Sequence, residues 1–385
     1  ASLGRSPRAQ FRMLAIVASA ASMFVATGVF LIFPRDAVDV SRIRGAYTGY
    51  QPEVSLRELD RIVESNREVF TVTWLDPAGR PQQWPRPLRL RGAVMNRYDP
   101  AARRWVEETH LSRRRTVTTK GNNEFVRLSG LRTQDERAPY TQIVTMRSLA
   151  TPTVFAAWAP VAIACDQIRS FTLDPSTLVL DETSLGLLGR YSTYELQVQP
   201  FPSEAVMRAM IGEAAPERPQ VGFPIAGVRE ETLRVLNERA PALLEPTPEG
   251  DAEASWRRQR ELATVLNNYL QSSDFKYTLE LRAFVQARDV DPIMQFLTEY
   301  KFGHCEYFAS ALTAMCQSIG VEARMVSGFV AVEFDATLAH YVVRESNAHA
   351  WVEVRTGKWQ WRTFDPTTDT MLVALQEEKR SWADN

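Results

Sequence analysis

A thiol, an imidazole and a carboxylate follow one another in three short blocks near the carboxyl end of the chain. The blocks are Lys301-Phe-Gly-His-Cys305-Glu-Tyr-Phe, Asn347-Ala-His349-Ala-Trp and Thr363-Phe-Asp365-Pro-Thr. Cys305, His349 and Asp365 are the parts of a cysteine acyl-transfer site: a nucleophile, a base that takes its proton and an acid that orients the base. Zinc is the rival use of such residues, but the chain has no Cys-x-x-Cys and no His-x-x-x-His, so no metal site and no cofactor are expected. Cys165 and Cys316 sit in apolar runs and read as core residues. His304 and His340 read as ordinary, partly exposed histidines near the cleft, and Glu306 as a structural acid in a first helical turn.

The elements that must hold these groups are legible in the spacing. Gly303 breaks what precedes it, and Phe308, Leu312, Met315, Cys316 and Ile319 form a helical stripe that Gly320 stops. Cys305 therefore opens a helix, where unpaired N–H groups and the positive end of the dipole favour thiolate over thiol. An intact helix also separates Cys305 from Cys316 by roughly 16 Å, beyond disulfide reach. Ala348–Arg355 alternates, with His349, Trp351 and Glu353 on one side and Ala350, Val352 and Val354 on the other. Trp359–Phe364 reads as the returning strand across Thr356-Gly357-Lys358. A register symmetric about Gly357 pairs Arg355 with Trp359 and His349 with Asp365, placing imidazole and carboxylate side by side. A one-residue slip would send them to opposite faces. Trp351, Trp359 and Trp361 read as cross-strand or core aromatics, with an acyl-donor groove as the alternative. Arg324 reads as a strand residue paired to a carboxylate.

These blocks, with Asp291-Pro-Ile-Met-Gln-Phe-Leu-Thr-Glu-Tyr before Lys301 and Gly320-Val-Glu-Ala-Arg-Met-Val-Ser-Gly-Phe between them, resemble the core of the transglutaminase-like superfamily. The likeness is greatest to its bacterial membrane-anchored branch. Weaker similarity reaches back through Leu262–Tyr277 and through Pro87-Leu-Arg-Leu-Arg-Gly-Ala-Val-Met-Asn-Arg-Tyr-Asp-Pro. The resemblance implies an α+β fold with a papain-like, transglutaminase-like core, a cysteine-bearing helix packed on an antiparallel sheet. It implies Cys305 as nucleophile, His349 as base and Asp365 as orienting acid; no residue of the chain is assigned as the family's oxyanion-stabilising side chain, and the Cys305 backbone N–H is one available donor. Members of that branch carry several membrane helices before the β domain and another after the catalytic domain. This chain shows one before and none after, so a segment of a longer protein is expected.

The rest of the chain supplies the setting. Leu14–Phe33 holds no charge over twenty residues, enough for a bilayer-spanning helix. Arg5, Arg8 and Arg12 put residues 1–13 in the cytoplasm and the remainder outside the inner membrane, in the periplasm. A signal peptide cleaved after Ala18-Ser-Ala20 is the alternative, though the apolar run continues past it. Residues 36–199 alternate at period two in Glu68–Trp74, Gln142–Met146 and Tyr191–Val198, the pattern of an all-β domain. Residues 200–226 read as a linker, and 227–385 as the catalytic domain, with an amphipathic helix at Trp256–Ser272 after a low-complexity patch at Pro241–Ala254. With 45 basic and 46 acidic residues, nothing points to nucleic acid. The expected partners are a protein or peptide substrate of the cell envelope and the bilayer. A membrane-anchored cysteine acyltransferase is the reading; a cysteine peptidase or amidase with the same triad, or a non-catalytic envelope binding module, are the competitors.

Overall fold

The structure, a computed structural model, describes residues 47–367 apart from interior stretches, the longest being 129–139, 183–193, 200–221 and 282–289. The apolar run Leu14–Phe33 and nearly all of the expected linker lie outside the described residues. Among the described residues no helix is long and apolar enough to cross a membrane.

The period-two stretches of the amino-terminal half form strands: β1 (Glu68–Leu75), β2 (Leu88–Met95), β3 (Val126–Arg127), β4 (Thr141–Met146), β5 (Ala162–Ala164) and β6 (Tyr194–Gln199). In β4 the alternation is direct, with Gln142, Val144 and Met146 buried and the residues between them half-buried. Next come α1 (Val228–Arg239), α2 (Ala252–Leu270) and α3 (Cys305–Ser318). The last strands are β7 (Ala323–Ala331), β8 (Glu333–Asp335), β9 (His340–Arg344), β10 (Ala348–Arg355) and β11 (Trp361–Phe364). Helix α2 begins inside the patch read as low-complexity. The reason is Asp251, whose carboxylate accepts the Ala254 N–H at 2.8 Å and caps the helix one turn early.

Two antiparallel sheets dominate the described residues. One runs β8-β9-β1-β4-β6-β5-β3 and the other β11-β10-β7-β2. Each mixes strands from both halves of the chain: β8 and β9 extend the first sheet beyond β1, and β2 closes the edge of the second against β7. The boundary near residue 200 is therefore one of chain order, which hydrogen bonding crosses in space.

Helix α3 is buried on nearly all sides, between α1, α2 and the second sheet. Phe308, Leu312 and Met315 are fully covered, each contributing about 1.5–3 kcal/mol of burial. One face of the sheet, with Met325, Ala350, Val352 and Val354, joins this helical core. On the other, Val94, Val326 and Trp351 pack against Val179. Gly320, at φ +80°, ends α3 as expected: its N–H reaches Gln317 O and the Val321 N–H reaches Cys316 O.

The β10–β11 hairpin departs from the symmetric register. Arg355 pairs with Trp361, Glu353 with Thr363 and Val352 with Phe364. The turn is Thr356–Gln360, closed by the Thr356 N–H to Gln360 O at 2.9 Å. Two tryptophans account for the longer turn. Trp359, expected in the strand, is buried in the core of the first sheet, and Trp361 lies under the Arg324 guanidinium at 3.8 Å. The shift is two residues, so every side chain keeps its face.

Candidate active site

Cys305 is the first residue of α3. The chain reaches it through Lys301, at φ +52°, and a short parallel pairing of Lys276–Tyr277 with Phe302–Gly303. His304, expected to be partly exposed, is buried. It is the helix N-cap, its Nδ1 accepting the Glu306 N–H at 3.4 Å, and its ring packs edge-on against Tyr307 at 5.2 Å. Its place immediately before the cysteine at a helix start was the available signal for this role.

His349 stands near the start of β10, opposite Gly328 of β7, and only 5% of it is exposed. Its ring stacks on Trp351, centroids 6.2 Å apart. Nε2 lies 3.0 Å from Asp365 Oδ2. A carboxylate can only accept, so Nε2 carries the proton, which leaves Nδ1 for the thiol. The β10–β11 pairing ends at Val352 and Phe364, and beyond it come Asp365 and Thr367. The Thr367 hydroxyl donates to Asp365 Oδ1 at 2.6 Å and its N–H reaches the same oxygen at 3.1 Å. The hydroxyl also lies 3.2 Å from His349 Nε2, toward which it accepts. Gln271 at the end of α2 holds the Asp365 carbonyl at 2.7 Å. Thr367 and Gln271 were not singled out in the sequence, since neither type marks chemistry by itself.

The thiol meets both imidazoles, His304 and His349. Burial alone would push it up; hydrogen bonds and charge from His304 and His349 overturn that and hold it well below the ordinary thiol value. Burial likewise disfavours a charged His349, but the Asp365 carboxylate and the thiolate raise it. Asp365 is held low, against burial, by His349 and by Arg89. The two histidines differ in what grips them. Against burial, His304 is raised as well, by its hydrogen bond to Cys305 and by the Glu306 charge; but an acid holds His349 and favours its imidazolium, whereas His304 takes an N–H at the positive end of a helix, which requires an unprotonated Nδ1. His349 is thus the ring built to carry a second proton. Cys316, by contrast, is pushed up to about 12 by burial, an inert core thiol.

A second polar cluster lies further along β10. Glu353, fully buried, takes Arg91 Nε at 2.8 Å and Arg324 Nη2 at 2.7 Å. Burial pulls the Arg324 guanidinium down to about 10 despite Glu353. This is the structural pairing expected of Arg324. Among the described residues no three His, Cys, Asp or Glu side chains converge as metal ligands. An open cleft of about 360 Å³ beside Trp256, Arg260 and Lys358 lies at the Thr356–Gln360 turn, the far end of β10 from His349.

A thiol at a helix start, an imidazole on a strand and a carboxylate behind it, on helices packed against an antiparallel sheet, form a candidate cysteine site. Residues 252–366 match the transglutaminase-like superfamily, and residues 1–202 match the TgpA N-terminal domain. The chain belongs to the transglutaminase-like superfamily, in the group that carries a TgpA N-terminal domain.

Among curated proteins it is 37% identical over 107 residues to uncharacterized protein YebA of Bacillus subtilis (strain 168), covering 27% of this chain and 14% of that one. It is 29% identical over 131 residues to a protein-glutamine gamma-glutamyltransferase of Pseudomonas aeruginosa, covering 34% of this chain and 18% of that one. The matched stretch is thus under a fifth of either relative's length. The periplasmic domain of TgpA from Pseudomonas aeruginosa, solved bound to ethylmercury, shares the fold: TM-score 0.53 and 20% identity, covering 83% of this chain and 96% of that one.

Proposed function

We propose that this protein is a cysteine acyltransferase of the transglutaminase kind, with Cys305, His349 and Asp365 as its catalytic triad. The observation that carries the reading is the thiol at the start of α3 beside an imidazole whose far nitrogen is held by Asp365 at 3.0 Å. The Cys305 thiolate adds to the carbonyl carbon of a glutamine-type carboxamide. The imidazolium of His349 gives its proton to the departing nitrogen, and ammonia leaves as the thioester forms. A primary amine then attacks the thioester, His349 takes its proton, and an amide bond replaces the thioester while the thiolate is restored. Asp365 keeps the imidazole oriented through both steps.

The transferase name of the Pseudomonas relative supports an amine as acceptor. The apolar run Leu14–Phe33, preceded by three arginines, supports a membrane anchor, and the likeness to a periplasmic domain supports a catalytic region outside the inner membrane, acting on envelope proteins or peptides. The test is incorporation of a fluorescent primary amine into a glutamine-bearing acceptor protein, with ammonia release measured alongside. Incorporation that disappears in Cys305→Ala supports the transferase. Cys305-dependent ammonia release without incorporation would make the protein an amidase, and absence of both would return it to a binding role.

A further inference from the structure

We propose that Arg89, on strand β2, is a positioning residue of the site: it fixes the Asp365 carboxylate and limits how tightly that acid holds the His349 proton. The inference rests on the acyl-transfer reading above. Arg89 lies outside the stretch matching the transglutaminase-like core, within the part matching the TgpA N-terminal domain. It reaches the site because β2 is the fourth strand of the catalytic sheet, with Arg89 paired to Val330 of β7.

The geometry is specific. Arg89 Nη2 lies 2.7 Å and Nε 3.1 Å from Asp365 Oδ2, the same oxygen that faces His349 Nε2 at 3.0 Å. Oδ1 is occupied separately by the hydroxyl and N–H of Thr367. Each carboxylate oxygen thus has its own donors, and the plane of the group is set without help from the imidazole. A main-chain device supports the placement. The register of β2 against β7 shifts between Ser327 and Gly328, so that Gly92 is the extra residue and Arg91 and Arg89 pair with Gly328 and Val330.

The consequence is electrostatic. A guanidinium and an imidazolium meeting on one oxygen repel each other, so Arg89 opposes protonation of His349 while Asp365 favours it. An imidazolium that must hand its proton to a leaving nitrogen works best when its pKa is not driven far above the working pH. Arg89 brings the pair back toward that condition. Its side chain is about a quarter exposed, so solvent screening keeps the effect to about one pH unit, the low end for charges this close.

The experiment is the rate of Cys305 alkylation by iodoacetamide from pH 4 to 12, read by mass spectrometry of the Cys305 peptide. It compares wild type with Arg89→Met, Arg89→Gln and Arg89→Lys in the whole chain. The wild-type profile should show two transitions: ionisation of Cys305 against imidazolium, then loss of the His349 proton, which leaves a bare and more nucleophilic thiolate. In the neutral variants the upper transition should move up by about one unit, and Arg89→Lys should bring it back toward wild type. Folded neutral variants whose profile superimposes on wild type would overturn the role of Arg89, and so would unfolding of both, which would make it a residue of stability. A wild-type profile that tracks an ordinary thiol would instead overturn the acyl-transfer reading itself, so the two failures are separable.

Discussion

Asp365 Oδ2 lies 3.0 Å from His349 Nε2 although both residues lie beyond the last pair of the β10–β11 ladder, Val352 with Phe364. Thr367 uses its hydroxyl and N–H to hold the other carboxylate oxygen. The acid is therefore pinned from behind while it faces its base.

If His349 is the proton carrier, His349→Ala should lower amine incorporation by about 10²–10⁴-fold while leaving the thermal midpoint close to wild type. Steady-state incorporation and a melting curve check this together. Turnover unchanged in a folded variant would remove His349 from the mechanism.

The thiol's depressed pKa gives a signed pH dependence. Alkylation of Cys305 should stay fast as pH falls below the ordinary thiol range, and slow only on reaching the depressed value. In His349→Ala the main cation is gone, so the transition should move up toward that ordinary range. Alkylation of each variant across pH 4–10 reads the shift.

His304 has two separable duties. His304→Ala removes a helix cap, costing about 0.5–2 kcal/mol, and one of the two imidazoles on the thiol. His304→Asn keeps a cap and removes only the imidazole. Both should raise the Cys305 pKa, and only the alanine variant should lose the full stability of the cap. Urea unfolding beside the alkylation profile distinguishes the two.

Glu353→Gln should destabilise the fold by about 3–5 kcal/mol, because it leaves Arg91 and Arg324 buried without their shared counter-charge. Equilibrium denaturation measures it, and a loss below about 1 kcal/mol would mean that solvent reaches the cluster.

Gly328→Ala should be poorly tolerated. A Cβ there would lie 2.1 Å from the Leu90 carbonyl oxygen and 2.9 Å from the Trp351 ring, both fixed by the sheet. The strain should cost about 1–3 kcal/mol or more. Because Gly328 is paired with both His349 and Arg91, amine incorporation should fall further than the stability loss explains.

The sequence by itself was enough for the local elements around the site. Gly303 and Gly320 bracket α3, and the stripe from Phe308 onward says which side is buried. Period two in β10 puts His349 on the face away from Val352, and an even register shift preserves that face. For this reason the closeness of His349 and Asp365 survived a turn two residues longer than the one expected. What only the tertiary structure decided came from contacts distant in the chain. Trp359 moved into the turn because a core built largely from residues before 175 had room for it. The two polar supports of the site were likewise set by the fold. His304, read as a partly exposed histidine, is a buried cap against the thiol, packed edge-on against Tyr307. Arg89 came to the triad from 276 residues away because β2 hydrogen-bonds to β7. Periodicity reports which way a side chain faces along its own element. It carries no record of which strand will lie alongside, and here that pairing brings a cation to the acid.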